Sequence, residues 1–301
     1  MRWELSLVLV SLGWTGMVAS HAGEGTVATT AVKSVTGDTT VTFKSEDGVT
    51  IHGELYLAEE SKAGPFLLLF PVSSGGGDGR SEYGPLVGRL MEAGFSALAI
   101  DQRVGGTFMG GINRTAQGIG RELPFCEAWP DLLAALRYAE DQGFTGPKIA
   151  WGSSYSGALV FRLAAEQGDR LAGVIAFSPA SGPPMEQCRA EEFVGRVGIP
   201  ALALRPASEM DRETSKAQME IFHKAGVRTY VADPGVHGSS MLNADRVGGS
   251  VEATWKVVLE FLNEVAGKRR ARGDAVPPDY VESSIERSAV PRGSRRACSG
   301  R

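Results

Sequence analysis

Apolar residues are spaced along this chain in three different ways, and each spacing predicts a different element. Residues 40–44 and 50–57 alternate apolar with polar, with Asp47-Gly48 between them. Period two broken by a turn dipeptide predicts an antiparallel hairpin. After Pro65 the alternation stops. Phe66-Leu67-Leu68-Leu69-Phe70 is apolar throughout, and similar short runs follow at 95–100, at 148–151 and at 171–177. Runs of this kind predict strands covered on both faces. Strands at 200–204 and 227–231 complete the set. Between the strands lie stretches with helical periodicity at 83–93, 130–141, 155–166, 213–225 and 251–265. Pro130 stands where a helix starts, so its missing N–H costs nothing. Strands alternating with helices predict an α/β fold: a doubly wound, mostly parallel sheet with helices on both faces and right-handed crossovers. The 178–198 connection has no room for a large cap domain. The Gly-rich stretch 102–125 is the one long insertion.

The two ends break this pattern. Residues 1–22 hold an apolar run followed by Ser20-His21-Ala22, small where a signal peptidase reads, which predicts a secretory signal cleaved after Ala22 and a secreted or periplasmic protein. The run is too short to span a bilayer, so no stable membrane anchor is expected. Residues 23–37 read as a linker and 38–266 as the folded domain. Residues 267–301 carry nine Lys/Arg against four Asp/Glu with almost no apolar periodicity, the composition of a disordered basic tail. Truncation from residue 270 onward is expected to leave stability and activity nearly unchanged.

Composition narrows the function. The chain has 301 residues, 43% of them hydrophobic, and a net charge of −4, which gives no reason to expect a nucleic-acid partner. Three cysteines without C-x-x-C spacing and four scattered histidines predict no metal site, and nothing in the sequence requires a cofactor. If the chain is exported, Cys126 and Cys188, both in loops after strand ends, are candidates for a disulfide, which the sequence leaves open because it does not fix their Cα separation.

The chemistry lies at the strand ends. Gly152-Ser153-Ser154-Tyr155-Ser156 joins a buried strand to a helix, one residue short of the Gly-x-Ser-x-Gly elbow that exposes a serine above the end of a parallel sheet. Neither Ser153 nor Ser156 has a glycine two residues before it, so Ser154 is the candidate nucleophile. Asp211 follows a later strand and His237, within Pro234-Gly235-Val236-His237-Gly238, follows the last. The order Ser…acid…His, each at a carboxyl strand end, can bring the three together. His237 would take the serine proton, and Asp211 would hold the imidazole; Glu209, two residues earlier, is the alternative acid. The oxyanion donors expected are the amide of Tyr155 and that of Val72 or Ser73. Asp101 and Arg103 are expected to brace their turn by a mutual salt bridge, His52 to be structural and His223 to be a surface residue.

Residues 38–266 resemble the α/β-hydrolase superfamily, nearest to its dienelactone-hydrolase-like and serine-peptidase-like esterase branches. The resemblance rests on Gly152-Ser153-Ser154-Tyr155-Ser156-Gly157, Asp101-Gln102-Arg103-Val104-Gly105-Gly106, Asp211 and Gly235-Val236-His237-Gly238. It departs from the family pattern at Val104, at Ser208 and at Pro71-Val72, where the family has glycines and His-Gly. The resemblance implies a serine hydrolase that cleaves carboxylic esters through an acyl-enzyme, and the lack of a cap at 178–198 predicts a shallow site that favours short acyl groups. A peptidase with the same machinery and a non-catalytic binding protein of the same fold are the alternatives.

Overall fold

The structure, a computed structural model, describes residues 39–58, 62–73, 80–105 and 111–267. The expected signal, linker and basic tail lie outside these, apart from Gly267.

Eight strands form one sheet in the order β1-β2-β4-β3-β5-β6-β7-β8. Strands β1 (Thr39–Lys44) and β2 (Thr50–Tyr56) make the expected hairpin, and β2 also runs antiparallel to β4 (Ser96–Asp101). From there all pairings are parallel: β3 (Phe66–Phe70) with β4 and with β5 (Lys148–Ser153), then β6 (Gly173–Phe177), β7 (Ala201–Pro206) and β8 (Arg228–Ala232). Strand order reverses around β3, so the carboxyl ends of β3, β5, β6, β7 and β8 gather on one edge, where ligands of open α/β sheets bind.

Period-two alternation sends successive side chains of each buried strand to opposite faces. Phe66, Leu68 and Phe70 join one core with Leu132, Leu136, Leu159, Phe161 and Phe222. Leu67 and Leu69 join a second with Leu86, Leu90, Trp255, Val258 and Phe261. Helices α1 (Gly84–Glu92) and α8 (Glu252–Val265) therefore cover one face. Helices α3 (Trp129–Asp141), α4 (Tyr155–Gln167) and α6 (Glu213–Lys224) cover the other. The remaining helices are short: α2 (Arg114–Ile119), α5 (Ala190–Phe193) and α7 (Ala244–Val247).

Three features refine the sequence reading. The Gly-rich insertion contains α2, capped by the Asn113 side chain on the Ala116 amide and ended by Gly120 at φ 72°. Asp101 and Arg103 do not pair with each other. Arg103 is held between Asp131 and Asp47, while Asp101 faces Arg80 and accepts from the Arg114 amide. Arg103 stands two residues beyond the end of β4, where the chain has left the sheet and residues two apart no longer share a face. Cys126 and Cys188 form a disulfide, with Cα atoms 5.7 Å apart. It ties the turn before α3 to the segment between β6 and β7.

Candidate active site

Ser154 sits between the last residue of β5 and the first of α4, at φ 58° and ψ −120°. A left-handed backbone costs a residue with a Cβ about 1–3 kcal/mol and persists where the surroundings enforce it. Here they do. The Ser154 amide donates to Phe177 O at 2.8 Å, and its carbonyl accepts from the Ala180 amide at 2.9 Å. Gly152 is required because a Cβ there would lie 2.3 Å from Ser156 O. Ser156, where the elbow pattern asks for glycine, uses its hydroxyl: Oγ donates to Pro71 O at 2.6 Å, holding α4 to the loop after β3. Ser153 and Ser156 are both fully buried, so neither can meet a substrate.

The acid requires a correction. His237 Nδ1 lies 2.5 Å from Glu209 Oε1, and Asp211 is exposed to solvent. The chain makes a 3-10 turn, Ala207–Glu209, directly after β7, which turns Glu209 inward along the sheet edge. Two residues later the chain has already left that edge, so Asp211 cannot face it. Arg205, buried near the end of β7, pairs with Glu209 from behind and donates to Gln218 Oε1 at 2.5 Å. Burial raises the cost of charge on Glu209. The hydrogen bond and charge of His237, the charge of Arg205 and the Ser178 hydroxyl outweigh it, and the carboxyl lies below its ordinary value. Glu209 is thus an anion that accepts Nδ1–H and leaves Nε2 of His237 as the basic nitrogen. The one sequence signal for this choice was the i, i+4 spacing of Arg205 and Glu209, since an arginine in a buried strand needs a counter-charge.

Ser178 was not anticipated. It ends β6 at φ 44°; among the described residues only it and Ser154 combine a side chain with positive φ. It is fully buried and accepts from the Gly238 amide at 3.1 Å, so one side chain ties the end of β6 to the residue after His237.

The amides expected as oxyanion donors differ in what they already bind. Tyr155 opens α4, so its amide has no carbonyl four residues back to serve. Its side chain is locked beneath, stacked on Phe125 at 4.9 Å and hydrogen-bonded to Gln102 Oε1 at 2.9 Å. The Val72 amide is committed to Glu82 Oε2 at 3.2 Å. That removes Val72 and leaves Ser73, whose amide has no partner among the described residues.

A cleft of about 380 Å³ opens beside His237 on the acid side, lined by residues 178–183 and by Arg212, Thr214 and Ser215. His237 is half exposed at its mouth. Among the described residues no group of three or more His, Cys, Asp or Glu side chains could hold a metal ion.

Known proteins bear on this arrangement. The family described as serine aminopeptidase, S33, matches residues 69–253, more than half of the chain. No curated protein matches the sequence. Among solved structures, the acylaminoacyl peptidase of Pyrococcus horikoshii is similar with a TM-score of 0.57 at 17% identity, over 78% of this chain and 43% of that one. This chain therefore spans less than half the length of that peptidase. An esterase of Pyrococcus furiosus is similar at 0.55 and 15% identity, over 76% and 91% of the two chains. The dienelactone hydrolase of Anabaena variabilis gives 0.55 and 18%, over 76% and 97%. These likenesses establish the fold. Taken with the family match, they make the chain a member of the serine aminopeptidase S33 family of hydrolases, within the α/β-hydrolase superfamily.

Proposed function

We propose that this protein is a serine hydrolase that cleaves carboxylic esters through an acyl-enzyme, with Ser154 as nucleophile, His237 as base and Glu209 as acid. The observation that carries the reading is the buried, strained Ser154 at a strand-to-helix turn, on the same sheet edge as a histidine whose Nδ1 is held by a carboxylate. His237 Nε2 takes the Ser154 proton as Oγ attacks the substrate carbonyl, and the imidazolium is balanced by Glu209. Charge on the carbonyl oxygen is received by the amides of Tyr155 and Ser73. His237 then returns the proton to the leaving alcohol, and water repeats the cycle on the ester of Ser154. No step needs a metal or a cofactor.

A peptidase acting through the same groups is the second reading, favoured by the family match and by the likeness to an acylaminoacyl peptidase. Both chemistries share one triad, so turnover separates them: nitrophenyl acetate and butyrate against aminoacyl nitroanilides, with the same protein preparation. Ester turnover exceeding amide turnover by more than the intrinsic reactivity difference supports the esterase reading, and the reverse supports a peptidase. A fluorophosphonate probe tests the class as a whole, because a binding protein of this fold would not be labelled at Ser154. An exported location is part of this proposal, and the Cys126–Cys188 disulfide supports it, since such bonds persist in oxidising compartments.

A further inference from the structure

Four acids among the described residues are almost wholly buried, and three of them face an arginine: Asp101 with Arg80, Asp131 with Arg103, and Glu209 with Arg205. The fourth, Glu82, is 1% exposed and forms no ion pair with a described residue. An uncompensated buried carboxylate is costly unless hydrogen bonds replace its water. Glu82 has those bonds, all of them from donors. Oε2 accepts from the Val72 amide at 3.2 Å. Oε1 accepts from the Ser153 hydroxyl and from the Ser240 amide, each at 3.0 Å. The Ser153 oxygen in turn accepts from the Ser239 amide at 3.0 Å, so its proton is committed to Glu82.

The three donors come from three separate strand ends, and each adjoins a reactive group. Val72 precedes Ser73, the oxyanion donor. Ser153 precedes Ser154. Ser240 follows His237 by three residues. Gly238 lies against this junction, where a Cβ would stand 2.5 Å from Ser153 Oγ and 2.8 Å from Glu82 Oε1. Trp151, inside β5, adds a bond from Nε1 to Ser239 Oγ at 2.8 Å.

We propose that Glu82 is a positioning residue: its carboxylate sets the spacing of the oxyanion amide, the nucleophile and the base by binding the neighbours of all three at once. This inference rests on the serine-hydrolase reading above. Burial pushes the carboxyl up, against the pull of the Val72, Ser153 and Ser240 donors and the nearby charge of His237. The geometry offers only donors, so the group serves as an anion, and an uncharged amide cannot replace it: the NH2 of a glutamine must face one donor or another.

The test is steady-state kinetics on Glu82→Gln, Ser153→Ala and the double variant, with circular dichroism and Tm alongside, and with fluorophosphonate labelling of the wild type. Glu82→Gln is expected to lose kcat by roughly 10–100-fold, as outer-shell partners of reactive groups do, with KM changed less than about twofold. Ser153→Ala, which removes one of the donors, is expected to lose about fivefold, and the double variant no more than Glu82→Gln alone, because the two act through one junction. A folded Glu82→Gln with kcat within twofold of wild type overturns the proposal. If that variant does not fold, Ser153→Ala decides, and full kcat there overturns it. Loss of kcat that multiplies in the double variant also counts against a shared junction. Failure of the wild type to label at Ser154 removes the hydrolase reading and this one with it. Labelling that is normal in the wild type and equally fast in Glu82→Gln removes this one alone.

Discussion

Glu209 and Asp211 are two residues apart in sequence and occupy opposite environments, one buried against His237 and the other in solvent. Their substitutions should therefore part sharply. Glu209→Gln is expected to lower kcat by roughly 10³–10⁴-fold, because an amide does not hold the imidazole in the tautomer that leaves Nε2 basic. Asp211→Asn should stay within about twofold. Ser154→Ala and His237→Ala should each cost several orders of magnitude, and the pair no more than either alone. A pH consequence follows from the depressed Glu209 carboxyl. A carboxylate lowered by folding contributes stability above its unfolded pKa, and that contribution is lost as pH falls through the folded value. The gap in Tm between wild type and Glu209→Gln should therefore be widest near neutrality and close on acidification; a gap independent of pH would contradict the assignment. Ser154 and His237 were legible in the sequence because a turn motif and a Gly-flanked loop mark them. The acid was not, since which of two neighbouring carboxylates faces inward depends on one turn of 3-10 helix. Ser178 and Glu82 left no mark either: a serine after a strand and a glutamate before a helix have ordinary local explanations.

The elements around the site are joined by bonds that sequence spacing cannot supply. The Cys126–Cys188 disulfide is one, closing 62 residues of chain. It lies next to Phe125, whose ring stacks on Tyr155, the residue after Ser154. Replacing both cysteines by alanine should cost about 2–4 kcal/mol, read as a fall in Tm, and should lower kcat further than the stability loss alone explains. Thiol titration of denatured, unreduced protein should find one free thiol of the three cysteines; three would refute the bond. The position of both cysteines after strand ends made them candidates, but the Cα separation that decides pairing is not written in the sequence. The brace at Arg103 could not, because its partners Asp47 and Asp131 come from a hairpin turn and a helix start.

At the scale of the molecule, the doubly wound sheet with helices on both faces was legible in the sequence, since apolar runs and helical periodicity depend only on which faces are buried. Substrate scope follows from what joins the strands. Between β6 and β7 the chain forms only short turns and α5, and no cap stands over the site among the described residues. An open site of this kind should turn over acetyl and butyryl esters faster than long-chain esters, which need an extended apolar groove. Faster turnover of a palmitoyl ester would contradict this. The cleft beside His237 also divides its walls by their duties. Ser178, Arg205 and Glu209 are buried: Glu209 is the proposed acid, Arg205 pairs with it and Ser178 holds the residue after His237. Ser181, Gly182, Arg212 and Thr214 line the same space but are partly or fully exposed, and they bind none of the proposed reactive groups. For a directed-evolution campaign this means that a library over those four positions can reshape substrate choice with little loss of folded protein, whereas one that includes the buried three would yield mostly inactive clones.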